Sequence, residues 1–335
     1  MKLFNALSNL FDLFQRKLIT SQRQFMQAKP RWLMMLNWAL LSSIIISNQS
    51  FAIDKTDKTK LVLPIKIFAT QNFYGQLAKQ IGGQYVEVHN IDNNQADPHH
   101  FEISIKERRL LDQADIVIQN GLSYESWLSS HSKQTASHTE SNDKQQRIVV
   151  ADLLDKPNRS NPHIWYDPKT MPALADALTH ILSQKAPLHR SFFRLNLHIF
   201  NERYQRLNQQ IADIKKHYAG SAITATEPLF NDMASAMGLV MQHTRFQEAI
   251  MNHTEPSARD AAALEDDLRH KRIKVLIENQ QTHTPFSKRF VEIANQASVK
   301  VVSIRENMPA DQNDYIVWMG KQLNDLKQAL GSSSD

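Results

Sequence analysis

The chain has 335 residues, a formal net charge of +5 and no cysteine, which excludes a disulfide framework, a thiolate metal site and a lipid-modified cysteine. The charge is unevenly placed: residues 1–52 hold Lys2, Arg16, Lys17, Arg23, Lys29 and Arg31 against Asp12 alone, which leaves 33 basic and 33 acidic residues of the totals 39 and 34. The remainder is near neutral, so the basic balance gives no argument for nucleic acid or an anionic membrane as partner.

In chain order, the first feature is the apolar run 33–47, LMMLNWALLSSIIIS. It is shorter than the roughly 20 residues of a membrane span. Lys29 and Arg31 precede it, and Ser50-Phe51-Ala52 follows with small residues where a signal peptidase cuts. This is the pattern of a secretory signal over residues 1–52, cleaved near Ala52, and it predicts a periplasmic protein. Residues 1–27 are long for such a leader, which makes Met26 or Met34 a candidate start.

From residue 63 onward, strand-like and helix-like segments alternate. LPIKIFAT (63–70), VEVHNI (86–91), ADIVIQNG (114–121) and RIVVADLL (147–154) read as strands, with helices over 73–81 and 104–114. Single helices between strands predict parallel βαβ units. The polar stretch 129–146 reads as a mobile surface loop. After Gly220 the alternation restarts with SAITAT, KVLIEN and VKVVSI as strands and helices over 229–237, 256–270, 286–297 and 315–330. Between the halves, Phe193, Leu197, Phe200, Tyr204, Leu207 and Ile211 recur at three- and four-residue steps, the mark of one continuous helix. The expected architecture is α/β: two similar open-sheet lobes (53–186 and 219–335) joined by one long rigid helix (187–218).

Three junctions combine strong metal ligands with turn residues. Asp97-Pro98-His99-His100-Phe101-Glu102 follows the second strand, Asn161-Pro162-His163 precedes a helix, and Thr226-Glu227-Pro228 ends the first strand of the second lobe. Proline fixes the local turn, and loops at the carboxyl ends of strands are where open α/β sheets bind ligands. Two imidazoles from one lobe and a carboxylate from the other can therefore meet in the cleft. Each feature also has an ordinary reading: an exposed turn for either Pro-His pair, and a helix-start carboxylate for Glu227.

The order and spacing of NFYGQLAKQIGG, DPHHFE, ADIVIQNGLSYESW, NPHIWYDP, ATEPLF and TEPSARDAAALEDDLR resemble the zinc- and manganese-type solute-binding proteins of bacterial ABC importers. The resemblance covers essentially the whole mature chain and implies His99, His163 and Glu227 as metal ligands. Many family members place a fourth, acidic ligand in the region matching LIENQQTHTP. Four residues past Glu278 stands Thr282, a poor ligand, so His283, Gln281, Glu278 or a water is the expected substitute. Only His131 and His138 remain where many zinc members carry a histidine-rich loop. The implied cargo is Zn2+, or Mn2+, and the implied partner is a membrane permease with its ATPase; a monomer and no enzymatic activity are expected. Zinc is favoured because two imidazoles and a carboxylate suit four-coordination and zinc stands above manganese in intrinsic affinity. A zinc hydrolase is the first alternative, against which stands the absence of an HExxH pair. A binding protein for an iron chelate is the second, although only Trp165 and Tyr166 supply aromatics near the proposed ligands.

Overall fold

The computed structural model describes residues 64–91, 103–128, 145–282 and 284–332. The export signal with its site at Ala52, His99, His100, Glu102, the two histidines of the 129–144 segment and His283 lie outside the described residues.

Two four-stranded sheets are present, and every strand pairing in them is parallel. The first contains β1 (Ile65–Ala69), β2 (Val86–Asn90), β3 (Ile116–Gln119) and β4 (Gln146–Val149) in the order β2-β1-β3-β4. The second contains β5 (Ala222–Ala225), β6 (Val240–Met241), β7 (Val275–Asn279) and β8 (Lys300–Ile304) in the matching order β6-β5-β7-β8. Central strands are buried on both faces, as in IVIQ and VLIEN, whereas edge strands such as VEVHN are half-exposed. Continuous apolar runs therefore mark the sheet centres and alternation marks the edges.

In the first lobe the helices are α1 (Asn72–Gly82), α2 (Ile105–Asp112) and α3 (Thr170–Lys185). Ser104 and Glu107 close a reciprocal capping box at the start of α2, which satisfies two amides that the helix itself cannot. The connector is α4 (Arg190–Tyr218), 29 residues preceded by a 3₁₀ turn over Pro187–His189. At 1.5 Å per residue it runs about 44 Å. Phe193, Phe200, Tyr204, Leu207, Ile211 and Ile214 form its buried stripe.

The second lobe adds α5 (Asn231–Ala236), α6 (Thr244–Met251), α7 (Ala258–Arg269), α8 (Pro285–Gln296) and α9 (Tyr315–Gly331). Two predicted segments differ in detail. The 147–154 run is a strand only to Val149 and then turns through a 3₁₀ helix, and the 229–237 segment begins as a 3₁₀ turn at Pro228 before α5.

One apolar core runs through both lobes. It includes Ile67 and Ile118 in the first sheet, Phe193 and Tyr204 on the connector, and Ile223, Ile277 and Trp318 in the second lobe. Where the lobes meet, Phe73 stacks on Trp318 with ring centroids 5.9 Å apart and lies 5.4 Å from Trp165. Tyr166 meets Phe230 edge-on at 5.3 Å. The lobes share a buried aromatic floor.

Candidate metal-binding cleft

In each sheet the chain reverses its direction of winding between the two central strands, β1 and β3 or β5 and β7. The crevice beyond the carboxyl ends of such strands is the natural ligand position. Here the residues that leave those ends are Thr70 and Asn120 in one lobe and Thr226 and Glu227 in the other, with Asn279 closing β7. The second lobe contributes one more strand end, where β8 runs into Arg305-Glu306.

His163 sits just before the 3₁₀ turn Ile164–Tyr166 and is 1% exposed. Asn161 Oδ1 accepts from its backbone amide at 3.0 Å and stands 2.7 Å from its Nδ1. That contact places the ring proton on Nδ1, so Nε2 carries the lone pair a metal needs. The edge of Trp165, 5.2 Å away and nearly perpendicular, fixes the ring plane. Asn161 also donates through Nδ2 to the carbonyl of Pro228, tying the histidine loop to the residue beside Glu227.

Facing His163 Nε2 at 3.7 Å is Oε2 of Glu306, from the other lobe. Both side chains are fully buried. Asn279 joins Glu306 to Glu227: its Nδ2 donates to Glu306 Oε1 at 2.8 Å, to Glu227 Oε2 at 2.9 Å and to Thr282 Oγ1 at 3.0 Å. The amide cannot flip, because its Oδ1 accepts from the Gln281 backbone amide. Burial pushes the Glu227 carboxyl up to about 7, Glu306 adds to the rise, and hydrogen bonds from Asn279 and Thr282 oppose it. Two buried acidic side chains held together by one amide favour a cation between them.

The four ligands read from the sequence are placed as follows. His163, in the loop before α3, and Glu227, just past the end of β5, both stand in the cleft; His99 and His283 lie outside the described residues. Of the other fourth-ligand candidates, Glu278 accepts from the Ser303 hydroxyl on the exposed sheet surface, and Gln281 uses its Oε1 to accept from the Asn307 amide. Glu306 was not anticipated. A signal existed, since it is a carboxylate just beyond an apolar strand, the same relation that singled out Glu227. Among the described residues no three histidine, aspartate or glutamate side chains converge closely enough to hold an ion by themselves. The cleft presents an imidazole–carboxylate pair with a second carboxylate one amide away.

Fold and cleft define a two-lobed α/β protein with a buried imidazole–carboxylate pair between its two parallel sheets. Residues 67–329 match the family model ZnuA, zinc-uptake complex component A periplasmic, and the chain belongs to that family. A curated relative is the metal ABC transporter substrate-binding lipoprotein SloC of Streptococcus mutans, 24% identical over 163 residues. That match covers 46% of this chain and 53% of SloC, so the chain spans about half the length of that relative. The periplasmic zinc-binding protein TroA of Treponema pallidum superposes with a TM-score of 0.67 at 14% identity, over 80% of this chain and all of TroA. A manganese-bound periplasmic metal-binding protein of Candidatus Liberibacter asiaticus gives 0.65 at 14% identity, over 79% of this chain and 99% of that one. At these identities the two structures establish the shared fold.

Proposed function

We propose that this protein captures a divalent transition-metal ion outside the cytoplasm and delivers it to an ABC permease. The observation that carries the reading is His163 Nε2 facing Glu306 Oε2 across the cleft, with Glu227 coupled to the same carboxylate through Asn279. His163, Glu227 and Glu306 are the ligands, and His99 completes the set from the first lobe. Glu306 takes the acidic position for which His283, Gln281 and Glu278 were candidates. Membership in a family of solute-binding proteins supports capture over hydrolysis, and similarity to a substrate-binding lipoprotein of a metal ABC transporter supports a permease as partner. Zinc is favoured over manganese by imidazole ligation and by intrinsic affinity, while the second carboxylate adds an oxygen that also suits manganese.

The test is metal content by native mass spectrometry together with thermal melts. An ion that binds only the folded protein raises the melting temperature at saturation. His163→Ala is expected to lose most of that rise, and His180→Ala, on an exposed helix face, to keep it. Wild-type zinc binding by His163→Ala would refute the cleft assignment.

A further inference from the structure

Glu306 is held from both lobes. Asn279 of its own lobe donates to Oε1, and the hydroxyl of Tyr124, from the opposite lobe, donates to Oε2 at 3.1 Å. Tyr124 is 5% exposed, and its ring meets that of His163 edge-on with centroids 6.3 Å apart. It therefore touches both partners of the facing pair.

The backbone that delivers Tyr124 is unusual. Gly121, Leu122 and Ser123 have φ of +87°, +54° and +62°, three successive left-handed residues of which only the first is glycine. Such conformations carry strain and persist where surrounding contacts impose them. The imposing group is the buried carboxylate of Glu125. It accepts from Thr70 Oγ1 at 2.6 Å, the Asn120 amide at 2.7 Å and the Gly121 amide at 3.1 Å. A Cβ at Gly121 would stand 2.7 Å from Val149 Cγ1, so no side chain fits there without a shift of its neighbours. A strained turn locked by a buried acid thus aims one phenol at a carboxylate of the other lobe.

The geometry points to Tyr124 as a positioning residue that sets metal selectivity. The inference rests on the cleft reading above and deepens it. Fixed donors on both oxygens restrain Glu306 to offer Oε2, the oxygen nearest His163, and resist rotation that would present both oxygens to one ion. One oxygen per carboxylate suits four-coordinate zinc among imidazoles. Manganese prefers a six-coordinate, oxygen-rich shell, which a chelating carboxylate helps to fill. Tyr124 and Asn279 together bias the site toward zinc.

The experiment compares dissociation constants for zinc and manganese, measured by chelator competition, in wild type, Tyr124→Phe, Asn279→Ser and His163→Ala. Tyr124→Phe keeps the ring and removes only the hydroxyl, and it is expected to lower the zinc-to-manganese affinity ratio by about tenfold, the scale of a lost outer-sphere contact. Asn279→Ser is expected to shift the ratio in the same direction. General weakening of the fold would lower both affinities together and leave the ratio unchanged, and that result overturns the inference. If His163→Ala loses both ions while both other variants keep the wild-type ratio, the cleft stands and the selectivity role of Tyr124 falls. If His163→Ala binds both ions as wild type does, cleft and inference fall together.

Discussion

In the proposed site, the buried carboxyl of Glu227 would couple metal capture to protons. Its folded value of about 7 lies above the ordinary 4.5, so the metal-free fold holds this proton more tightly than the unfolded chain does. That contribution to stability is complete below about pH 4.5 and is lost as the pH rises through about 7, a span worth about 3 kcal/mol. The metal-free protein is expected to melt at lower temperature at pH 8 than at pH 5. Ligation needs the ionised carboxylate, so zinc binding at pH 6 should expel a proton from Glu227. Calorimetry in two buffers of different ionisation enthalpy counts the protons released. Glu227→Gln should release fewer at pH 6, and an identical count in wild type and variant would remove Glu227 from the site. His163 and Glu227 stood out in the sequence as candidates because each stands beside a proline at a strand end or helix start. Glu306 has no such neighbour, and it becomes a candidate only when Tyr124, Asn279 and His163 converge on it from distant parts of the chain.

At the scale of elements, the two sheets and the connector were readable because their central strands are uninterrupted apolar runs and α4 keeps a helical apolar stripe. The two-residue strand β6 and the helix α6 escaped notice. The first is too short for any period to show, and the second buries only Phe246 and Gln247. What no pattern encodes is how the 305–308 segment is held. Tyr166 donates to the Arg305 carbonyl at 2.7 Å, Tyr124 to Glu306, and Asn72 to the Met308 carbonyl at 2.6 Å. All three donors belong to the first lobe, so the loop that carries Glu306 is shaped by the other lobe's side chains. The 121–123 turn is part of this arrangement. Glu125→Ala would strip the acceptor from two backbone amides and the Thr70 hydroxyl, at about 1–3 kcal/mol for each donor left unsatisfied. A loss of at least 3 kcal/mol is expected in denaturant unfolding, and Glu125→Gln, which keeps one acceptor oxygen, should lose less. Equal stability of Glu125→Ala and wild type would show that the left-handed turn does not depend on the carboxylate.

For the whole molecule, the question is how far the lobes move when the ion arrives. A hinge needs backbone that can rotate and an interface that can open. Here the connector is one helix whose buried stripe belongs to the same apolar core as both sheets, so bending it exposes packed surface. Arg203 on α4 pairs with Asp314, the N-cap of α9, and Lys156 of the first lobe bridges Asp167 at 3.0 Å and Asp232 of the second lobe at 2.9 Å. Tyr315 donates to the Trp165 carbonyl at 2.6 Å through the interlobe floor. Opening the cleft by a large angle would break these bonds and separate the Phe73–Trp165–Trp318 stack, against the cohesion of a close-packed core. Metal binding is therefore expected to draw in side chains and loops at the cleft mouth while the lobes keep their relation. Small-angle scattering of the metal-free and zinc-saturated protein should give radii of gyration that agree within error. Trp165→Ala, which opens a cavity in the shared floor, should widen the difference between the two states. A large compaction of the wild-type protein on zinc binding would show that the lobes hinge despite the continuous core.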